Sequence, residues 1–273
     1  MHLPDPTSAY GRRELVLVAA LLVAMARLVE LPGAALVAGL LPFVILVAGF
    51  GILGGSEAPA RTVSALLIPA VLTGGAAAAI QLVPPGLGLV PYLAVFAILL
   101  DRTLDLEMRL LSQPGGATDA DRARVLMAAV AAAFVAFTGV AALVPGGMAE
   151  PGATTGTSTA LTEGSVIVLA AVDALVAGLL GYRVAAFRYG TAKDAARSAL
   201  TYAILVAVAA GAVRAVDLPR LVGPAVLTLV FYLWDALHGT APARRREPRF
   251  LWETILLVVL AAVVVAWNAR LRT

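Results

Sequence analysis

The sequence contains no cysteine, only two histidines and few charged residues. Without cysteine the chain can form neither a disulfide framework nor a thiolate site. His2 and His238 are too few for a zinc site built on several histidines. Charged residues make up 14% of the chain, whereas a soluble domain carries about a quarter. So few charges cannot cover the surface of a water-soluble fold.

Apolar residues dominate the chain, at 61% hydrophobic with a mean hydropathy of +0.93. A helix needs about 20 mostly apolar residues to cross a bilayer. Proline and glycine breakers divide the chain into nine such segments. The predicted spans are Glu14–Glu30, Gly33–Gly54, Thr62–Leu82, Leu87–Leu100, Arg124–Val144, Glu163–Tyr182, Ala199–Val216, Leu221–His238 and Phe250–Ala269. The sequence therefore predicts an all-α, polytopic transmembrane bundle that forms a single integral membrane domain over residues 1–273.

Basic residues predict the orientation of this bundle. With nine spans, fifteen of the twenty Lys and Arg residues fall on the side of the N-terminus, and such loops lie in the cytoplasm. The N-terminus is then inside and the membrane is the cell membrane, a bacterial cytoplasmic membrane. Residues 101–123 become a cytoplasmic amphipathic or loop segment, and the fourth span is expected to continue into it as one helix to about Leu111. Residues 145–162, rich in Gly, Thr and Ser, are expected to form a flexible external loop.

The first span has an alternative interpretation. Arg12 and Arg13, the apolar run after them and the sequence Ala24-Met25-Ala26 are typical of a secretory signal peptide. Cleavage there would leave eight spans in the same orientation. Because polytopic proteins usually keep the first helix as an anchor, a retained first span is preferred.

Asp173 lies near the middle of the sixth span, where an unpaired carboxylate costs several kcal/mol. Small residues share its helix face, and the next span has a small residue at every fourth position, followed on the same stripe by Arg214. Such stripes let helices pack closely in a bilayer, so Asp173 and Arg214 are predicted to face each other. The pair is interpreted either as a proton or cation site or as a buried structural ion pair, with Arg27 as the other candidate partner.

A second polar cluster is predicted at the cytoplasmic end of the eighth span. Asp235 and His238 lie three residues apart there, and Glu253 is expected at the same depth. Trp234 and Trp252 are typical of the aromatic belt at a membrane interface. A histidine-gated proton entry site is one interpretation, but the sequence favours ordinary interfacial polarity.

Asp101 and Asp105 place two carboxylates on one helix face, and such a pair can hold Mg²⁺ against a diphosphate. Together with nine spans and an inside N-terminus, this Asp-x-x-x-Asp motif resembles membrane prenyltransferases of the UbiA type. The resemblance implies a lipid-modifying activity at this pair. That family has a longer Asn/Asp-rich motif and a second aspartate pair in a later cytoplasmic loop, where this chain has only Asp194.

The plainer interpretation of the same segment is an amphipathic surface helix that binds no metal. Asp105 and Arg109 would then form an ion pair one helical turn apart. An apolar stripe beneath them supports this interpretation and consists of Leu100, Leu104, Met108 and Leu111.

Further patterns concern membrane contact and internal repetition. A basic turn predicted to contact anionic lipid headgroups contains Arg244, Arg245, Arg246 and Arg249.

Two similar motifs, Asp119–Arg122 and Asp194–Arg197, open Ala-rich spans. The run Pro69–Thr73 also recurs as Pro224–Thr228, in spans of opposite direction.

The leading functional hypothesis is transport or permeation of a small solute, ion or lipid through a helical bundle with buried polar sites. The first alternative is a non-catalytic membrane subunit or scaffold, with other membrane subunits among its candidate partners. The second is a lipid-modifying enzyme that uses Asp101 and Asp105. No catalytic residue, cofactor or nucleic-acid partner is predicted. Lys193, the only lysine, lies in a predicted loop, which excludes a retinal Schiff base within a span.

Overall fold

The computed structural model describes residues 6–53, 59–112, 118–144, 162–189, 191–215, 221–239 and 247–270. The secondary structure of these ranges consists of nine α-helices and one short 3-10 helix at Ile80–Leu82. The helices are α1 (Pro6–Ala26), α2 (Gly33–Ile52), α3 (Pro59–Ala79), α4 (Leu89–Ser112), α5 (Asp119–Leu143), α6 (Glu163–Ala186), α7 (Ala192–Ala215), α8 (Val222–Gly239) and α9 (Pro248–Arg270).

Six of these helices are long and apolar enough to cross a membrane, namely α2, α3, α5, α6, α7 and α8. Helix α4 runs without a break from Leu89 to Ser112, which confirms the predicted continuation of the fourth span. Both α1 and α4 combine an apolar segment with a charged one. Helix α9 has a shorter apolar run within the described residues, from Phe250 to Leu260. The fold is compatible with a multi-pass membrane protein.

Side-chain contacts show which helix ends lie together. At one end of the bundle, called the Arg12 end, the beginnings of α1, α3 and α7 meet the ends of α2, α4, α6 and α8. These contacts are Arg12 with Asp101, Gly11 with Ile52, Arg183 with Ser64 and Glu107, and Arg188 with Tyr202 and Asp235.

The opposite end is called the Arg214 end. Here the end of α7 meets the first half of α6 through Arg214 and Asp173, and Tyr92 near the start of α4 donates to the Ala76 carbonyl late in α3. Gly75 in the second half of α3 contacts Ala136 in the second half of α5. Successive helices from α1 to α8 therefore alternate in direction, as a serially folded bundle requires.

Helix α3 is the central helix and is buried along nearly its whole length. A methyl group added at Gly75 would lie 2.6 Å from the Ala136 Cα of α5, and one at Gly74 would lie 2.9 Å from the Ala38 carbonyl oxygen of α2. These glycines let two helix backbones approach α3 from different sides, which is how helices pack in a bilayer. A helix that is apolar on all faces belongs in such a position.

The predicted close packing of α6 on α7 is observed. A methyl group at Gly178 would lie 3.5 Å from the Ala203 Cβ, an ordinary van der Waals contact between small residues. One turn later a methyl group would not fit, because at Gly181 it would lie 2.7 Å from the Tyr202 Cγ. Gly181 thus makes room for a large, fully buried tyrosine on the neighbouring helix.

The first turns of α5 and α7 are capped in the same way. The Thr118 hydroxyl accepts a hydrogen bond from the Asp121 amide, and the Thr191 hydroxyl accepts one from the Asp194 amide, both at 3.2 Å. Such caps satisfy amides that have no partner within the helix. By its cap, Asp194 corresponds to Asp121. Asp119 and Asp194 are alike in another respect, because each forms an ion pair with the arginine three residues later.

The repeated Pro-Ala-Val-Leu-Thr runs also share a local geometry. Thr73 donates to the Pro69 carbonyl and Thr228 donates to the Pro224 carbonyl, each at 2.8 Å. A threonine that bonds the carbonyl four residues earlier satisfies its hydroxyl within its own helix. The two runs therefore share the hydrogen bond of their threonine.

Candidate functional site

Asp173 and Arg214 meet in the interior between α6 and α7. The Arg214 Nη2 atom lies 3.4 Å from Asp173 Oδ2. The Asp173 side chain is 0% exposed and that of Arg214 is 6% exposed. The structure thus brings together the two residues that the sequence placed on facing helix surfaces.

The hydrogen bonding of this ion pair is incomplete. Asp173 Oδ1 and Arg214 Nε are both buried, and neither has a hydrogen-bond partner among the described residues. A carboxylate has two acceptor oxygens and a guanidinium has five N–H donors. Among the described residues, the 3.4 Å contact leaves one buried atom of each group unbonded. A buried ion pair offsets its desolvation only when its geometry is good and its remaining groups are bonded. The burial of this pair therefore lowers the stability of the fold.

Arg27 is not the partner of Asp173. Its Nε donates to the Val83 carbonyl at 3.1 Å, and nearby the Gln81 side chain donates to the Ala26 carbonyl at 2.7 Å. Helix α1 packs on α2, α3 and α4, away from α6. Arg27 therefore holds the end of α1 to the turn that follows α3, which corrects the alternative pairing with Asp173.

Asp235 is buried near the end of α8. It forms an ion pair with Arg188 and accepts a hydrogen bond of 2.5 Å from the Tyr202 hydroxyl. Arg188 also donates to that hydroxyl at 3.4 Å. The reason for the burial of Asp235 is helical periodicity, because it lies on the inward face of α8 with Leu227 and Phe231. The triad Arg188, Tyr202 and Asp235 joins α6, α7 and α8.

The charge of Arg188 is stabilised by this triad. Burial lowers the pKa of its guanidinium, but the Asp235 carboxylate and the Tyr202 hydroxyl raise it by more. The net pKa lies above its ordinary value, so Arg188 stays charged at any physiological pH.

His238 and Glu253 lie at the surface, whereas Asp235 is buried. The His238 Nδ1 atom lies 3.1 Å from the Trp234 carbonyl oxygen, and its ring stacks on that tryptophan with 3.8 Å between centroids. The predicted cluster is therefore divided between a buried carboxylate and two surface residues.

Glu107 and Arg183 form a buried ion pair that was not predicted from the sequence. Arg183 Nε donates to Glu107 Oε1 at 3.0 Å, and its Nη2 contacts the other carboxylate oxygen. Its Nη1 donates to the Ser64 hydroxyl at 3.2 Å, and its guanidinium lies 4.3 Å from the centre of the Phe187 ring. The sequence did contain a signal that Glu107 is buried, because this residue lies one heptad after Leu100 on the apolar face of α4.

Asp101 and Asp105 both face Arg12 of α1. Arg12 Nε lies 3.0 Å from Asp101 Oδ1, and Arg12 Nη1 donates to Asp105 Oδ1 at 2.5 Å. Arg109 binds the other oxygen of Asp105, as the spacing predicted. Across the described ranges no three His, Cys, Asp or Glu side chains are grouped so that they could hold a metal. The two carboxylates dock α1 on α4.

Two open clefts lie at the Arg12 end. One, of about 260 Å³, lies between the ends of α2 and α4 beside Ile52 and Met108. The other, of about 310 Å³, lies between α7 and α8 beside Thr201 and Trp234. Neither cleft reaches Asp173.

Some predicted features lie outside the described residues. They include Arg244, Arg245 and Arg246 of the basic turn, and residues 145–161 of the external loop. The side chain of Arg249 is likewise outside them.

Comparison of the chain with protein-family models, curated proteins and solved structures finds no match. The similarity to membrane prenyltransferases therefore rests on the motif of Asp101 and Asp105, whose carboxylates both contact Arg12. The best candidate for a functional site is the incompletely bonded pair of Asp173 and Arg214.

Proposed function

We propose that the protein transports a small solute or ion across a membrane, with Asp173 and Arg214 as its central polar site. The observation that carries this proposal is the incomplete bonding of two buried charges. Apolar residues of similar volume often replace a buried ion pair without loss of stability. Ionisable residues inside a membrane are accordingly interpreted as functional by default.

The proposed membrane arrangement has nine crossing helices and places the Arg12 end in the cytoplasm of a bacterial cell. It is supported by the basic residues at that end, such as Arg12, Arg109 and Arg197, because basic loops stay inside. The alternating directions of α1 to α8 agree with serial crossings. In this arrangement Arg214 lies toward the outside.

The distribution of ion pairs supports opening at the Arg214 end. Among the described residues, the ion pairs that join two helices at the Arg12 end are those of Arg12, Arg183 and Arg188. At the Arg214 end, the ion pair that the described residues form between helices is the incompletely bonded one that joins α6 to α7. Because the Asp173 side chain is 0% exposed, a solute can reach it only in a second conformation. The ends of α6 and α7 at the Arg214 end are joined by the weaker ion pair, so they separate at a lower cost in free energy.

The test is transport by the purified full chain in liposomes loaded with a pH-sensitive dye. Chloride, nitrate, sodium and glycerol gradients are applied, and swelling and internal pH are followed. We expect at least one solute to move faster than in empty liposomes, and Asp173→Asn to abolish this difference. Asp119→Asn is the matched control, because its side chain is 97% exposed. Equal rates for the wild type and Asp173→Asn would contradict the proposal.

A second candidate function is a non-catalytic membrane subunit or scaffold. The contacts of Glu107 with Arg183, and of Asp235 with Arg188 and Tyr202, favour it. They hold helices together and leave no buried side-chain atom unbonded among the described residues. In that case no solute moves in the liposome test. The lipid-modifying alternative has less support, since Arg12 contacts both Asp101 and Asp105.

A further inference from the structure

We propose that Arg214 binds a small monovalent anion, which replaces the Asp173 carboxylate when Asp173 takes up a proton. This inference rests on the proposed transport function and names the cargo class: an anion that moves together with a proton. Among the described residues, the Arg214 guanidinium has one anionic neighbour, Asp173, and its buried Nε is unbonded.

Among the described residues, no other charged group on the helices around α6 lies beside Asp173 and Arg214. Within the described ranges, the other charged residues of α3, α4, α5, α7 and α8 belong to the Arg12 end. They are Arg61 on α3; Asp101, Arg102, Asp105, Glu107 and Arg109 on α4; Asp119, Asp121, Arg122 and Arg124 on α5; Lys193, Asp194 and Arg197 on α7; and Asp235 with His238 on α8. On α6 itself, Glu163 is exposed in the first turn and Arg183 binds Glu107. Asp173 is thus the one described carboxylate in contact with Arg214.

The chemistry of the pair favours an anion over a metal cation. A cation at Asp173 would lie within a few ångströms of the Arg214 guanidinium and would be repelled by it. Hard cations also need six or more oxygen ligands, and one carboxylate supplies two. An anion faces neither obstacle, because a guanidinium fork binds planar oxyanions through two parallel charge-assisted hydrogen bonds.

The exchange keeps the site electrically neutral. Before exchange, the Asp173 carboxylate balances the Arg214 guanidinium. One proton from water then binds a carboxylate oxygen of Asp173, and one anion binds Arg214, so the net charge is again zero. A low-dielectric interior tolerates both states, whereas it would not tolerate the guanidinium alone.

The coupling follows from competition for one arginine. An ionised Asp173 occupies the guanidinium and excludes the anion, and a bound anion removes the partner that keeps Asp173 ionised. Linkage is reciprocal, so anion binding and protonation favour each other. The predicted transport step is electroneutral, with one proton for each anion.

The binding test uses nitrate as the probe, because it is planar and monovalent. Thermal unfolding of the purified full chain in detergent is measured as nitrate replaces gluconate at constant ionic strength. For the wild type, we expect stabilisation at low pH, with an apparent affinity that falls about tenfold per pH unit where Asp173 deprotonates. Asp173→Asn, which imitates the protonated acid, should bind nitrate at every pH.

Two further variants complete the binding test. Arg214→Gln should lose nitrate stabilisation at every pH, whereas Arg27→Gln should keep the wild-type response because Arg27 binds the Val83 carbonyl. If Arg214→Gln does not fold, Arg214→Lys replaces it and should bind nitrate at least about tenfold more weakly, because lysine lacks the planar fork. Nitrate stabilisation that survives in either Arg214 variant, or that is absent in Asp173→Asn, would overturn the inference.

The liposome transport assay distinguishes failure of this inference from failure of the proposed function. With the wild type, an inward nitrate gradient should acidify the liposome lumen, because each nitrate enters with one proton. No membrane potential is needed. Asp173-dependent movement of another solute, with no nitrate binding, would overturn the inference and leave the transport proposal standing. Nitrate binding to Asp173→Asn, with no flux of any solute through the wild type, would establish the anion site and contradict transport.

Discussion

Glu107 of α4 and Arg183 of α6 are joined by two contacts in the interior, and Arg183 also donates to Ser64 of α3. One guanidinium therefore holds three helices together at the Arg12 end. This arrangement contrasts with that of Asp173 and Arg214, where a single contact leaves two buried atoms unbonded. The two buried ion pairs of α6 therefore differ in how well each charge is compensated.

The first prediction concerns the pair of Glu107 and Arg183. Glu107→Gln leaves a buried guanidinium without a counter-charge, so we expect a loss of about 3–5 kcal/mol in the free energy of unfolding. Arg183→Lys should also destabilise, because lysine cannot bind both carboxylate oxygens and Ser64. Unfolding in detergent measures both. Asp119→Asn serves as the surface control and should change stability by less than about 0.5 kcal/mol. A Glu107→Gln protein as stable as this control would contradict the prediction.

The second prediction is a double-mutant cycle on Asp173 and Arg214. Either Asp173→Asn or Arg214→Gln alone strands a buried charge, at an expected cost of about 3–5 kcal/mol. The double variant should lose less than the sum, and thermal unfolding in detergent measures the difference. Combining Asp173→Asn with Arg27→Gln should give additive losses, because Arg27 binds elsewhere. Additivity in the first cycle would mean that Asp173 and Arg214 do not interact.

The third prediction tests the space that Gly181 leaves for Tyr202. Gly181→Ala should displace the ring and weaken its hydrogen bond to Asp235, at a cost of about 1–3 kcal/mol typical of overpacking. Gly178→Ala is the control on the same helix and interface, where a methyl group makes an ordinary contact with Ala203. Thermal unfolding compares the two variants, and equal stability would contradict the packing described for Gly181.

The fourth prediction concerns Arg12, Asp101 and Asp105. Because the two carboxylates hold Arg12, we expect magnesium to give no thermal stabilisation. Arg12→Gln should cost about 1 kcal/mol, since these side chains are partly exposed. Magnesium-dependent stabilisation that disappears in Asp105→Asn would show a metal site and revive the lipid-modifying alternative.

The fifth prediction concerns the membrane topology. Reporter fusions after Gly115 and Gly190 should report a cytoplasmic location, and a fusion after Gly156 should report an external one. The physical reason is the concentration of basic residues in the loops on the side of the N-terminus. A cytoplasmic signal after Gly156 would show that the proposed orientation or the number of spans is wrong.

The positions of the helices could be predicted from the sequence because hydropathy and helix breakers act locally. Helix α2 begins at Gly33 and α6 at Glu163, as predicted. Helices α5 and α7 begin earlier than the predicted spans, at Asp119 and Ala192. The reason is that a charged, capped first turn belongs to the helix but not to its apolar segment.

The partners of the charged residues were decided mainly by the tertiary structure. The facing stripes of small residues were enough to place Asp173 opposite Arg214, because α6 and α7 are consecutive. No local pattern could assign Glu107 to Arg183 or Asp235 to Arg188. Each of those contacts depends on which distant helices are neighbours in the bundle and on how each helix is rotated about its axis, and only the packing of the whole bundle sets both.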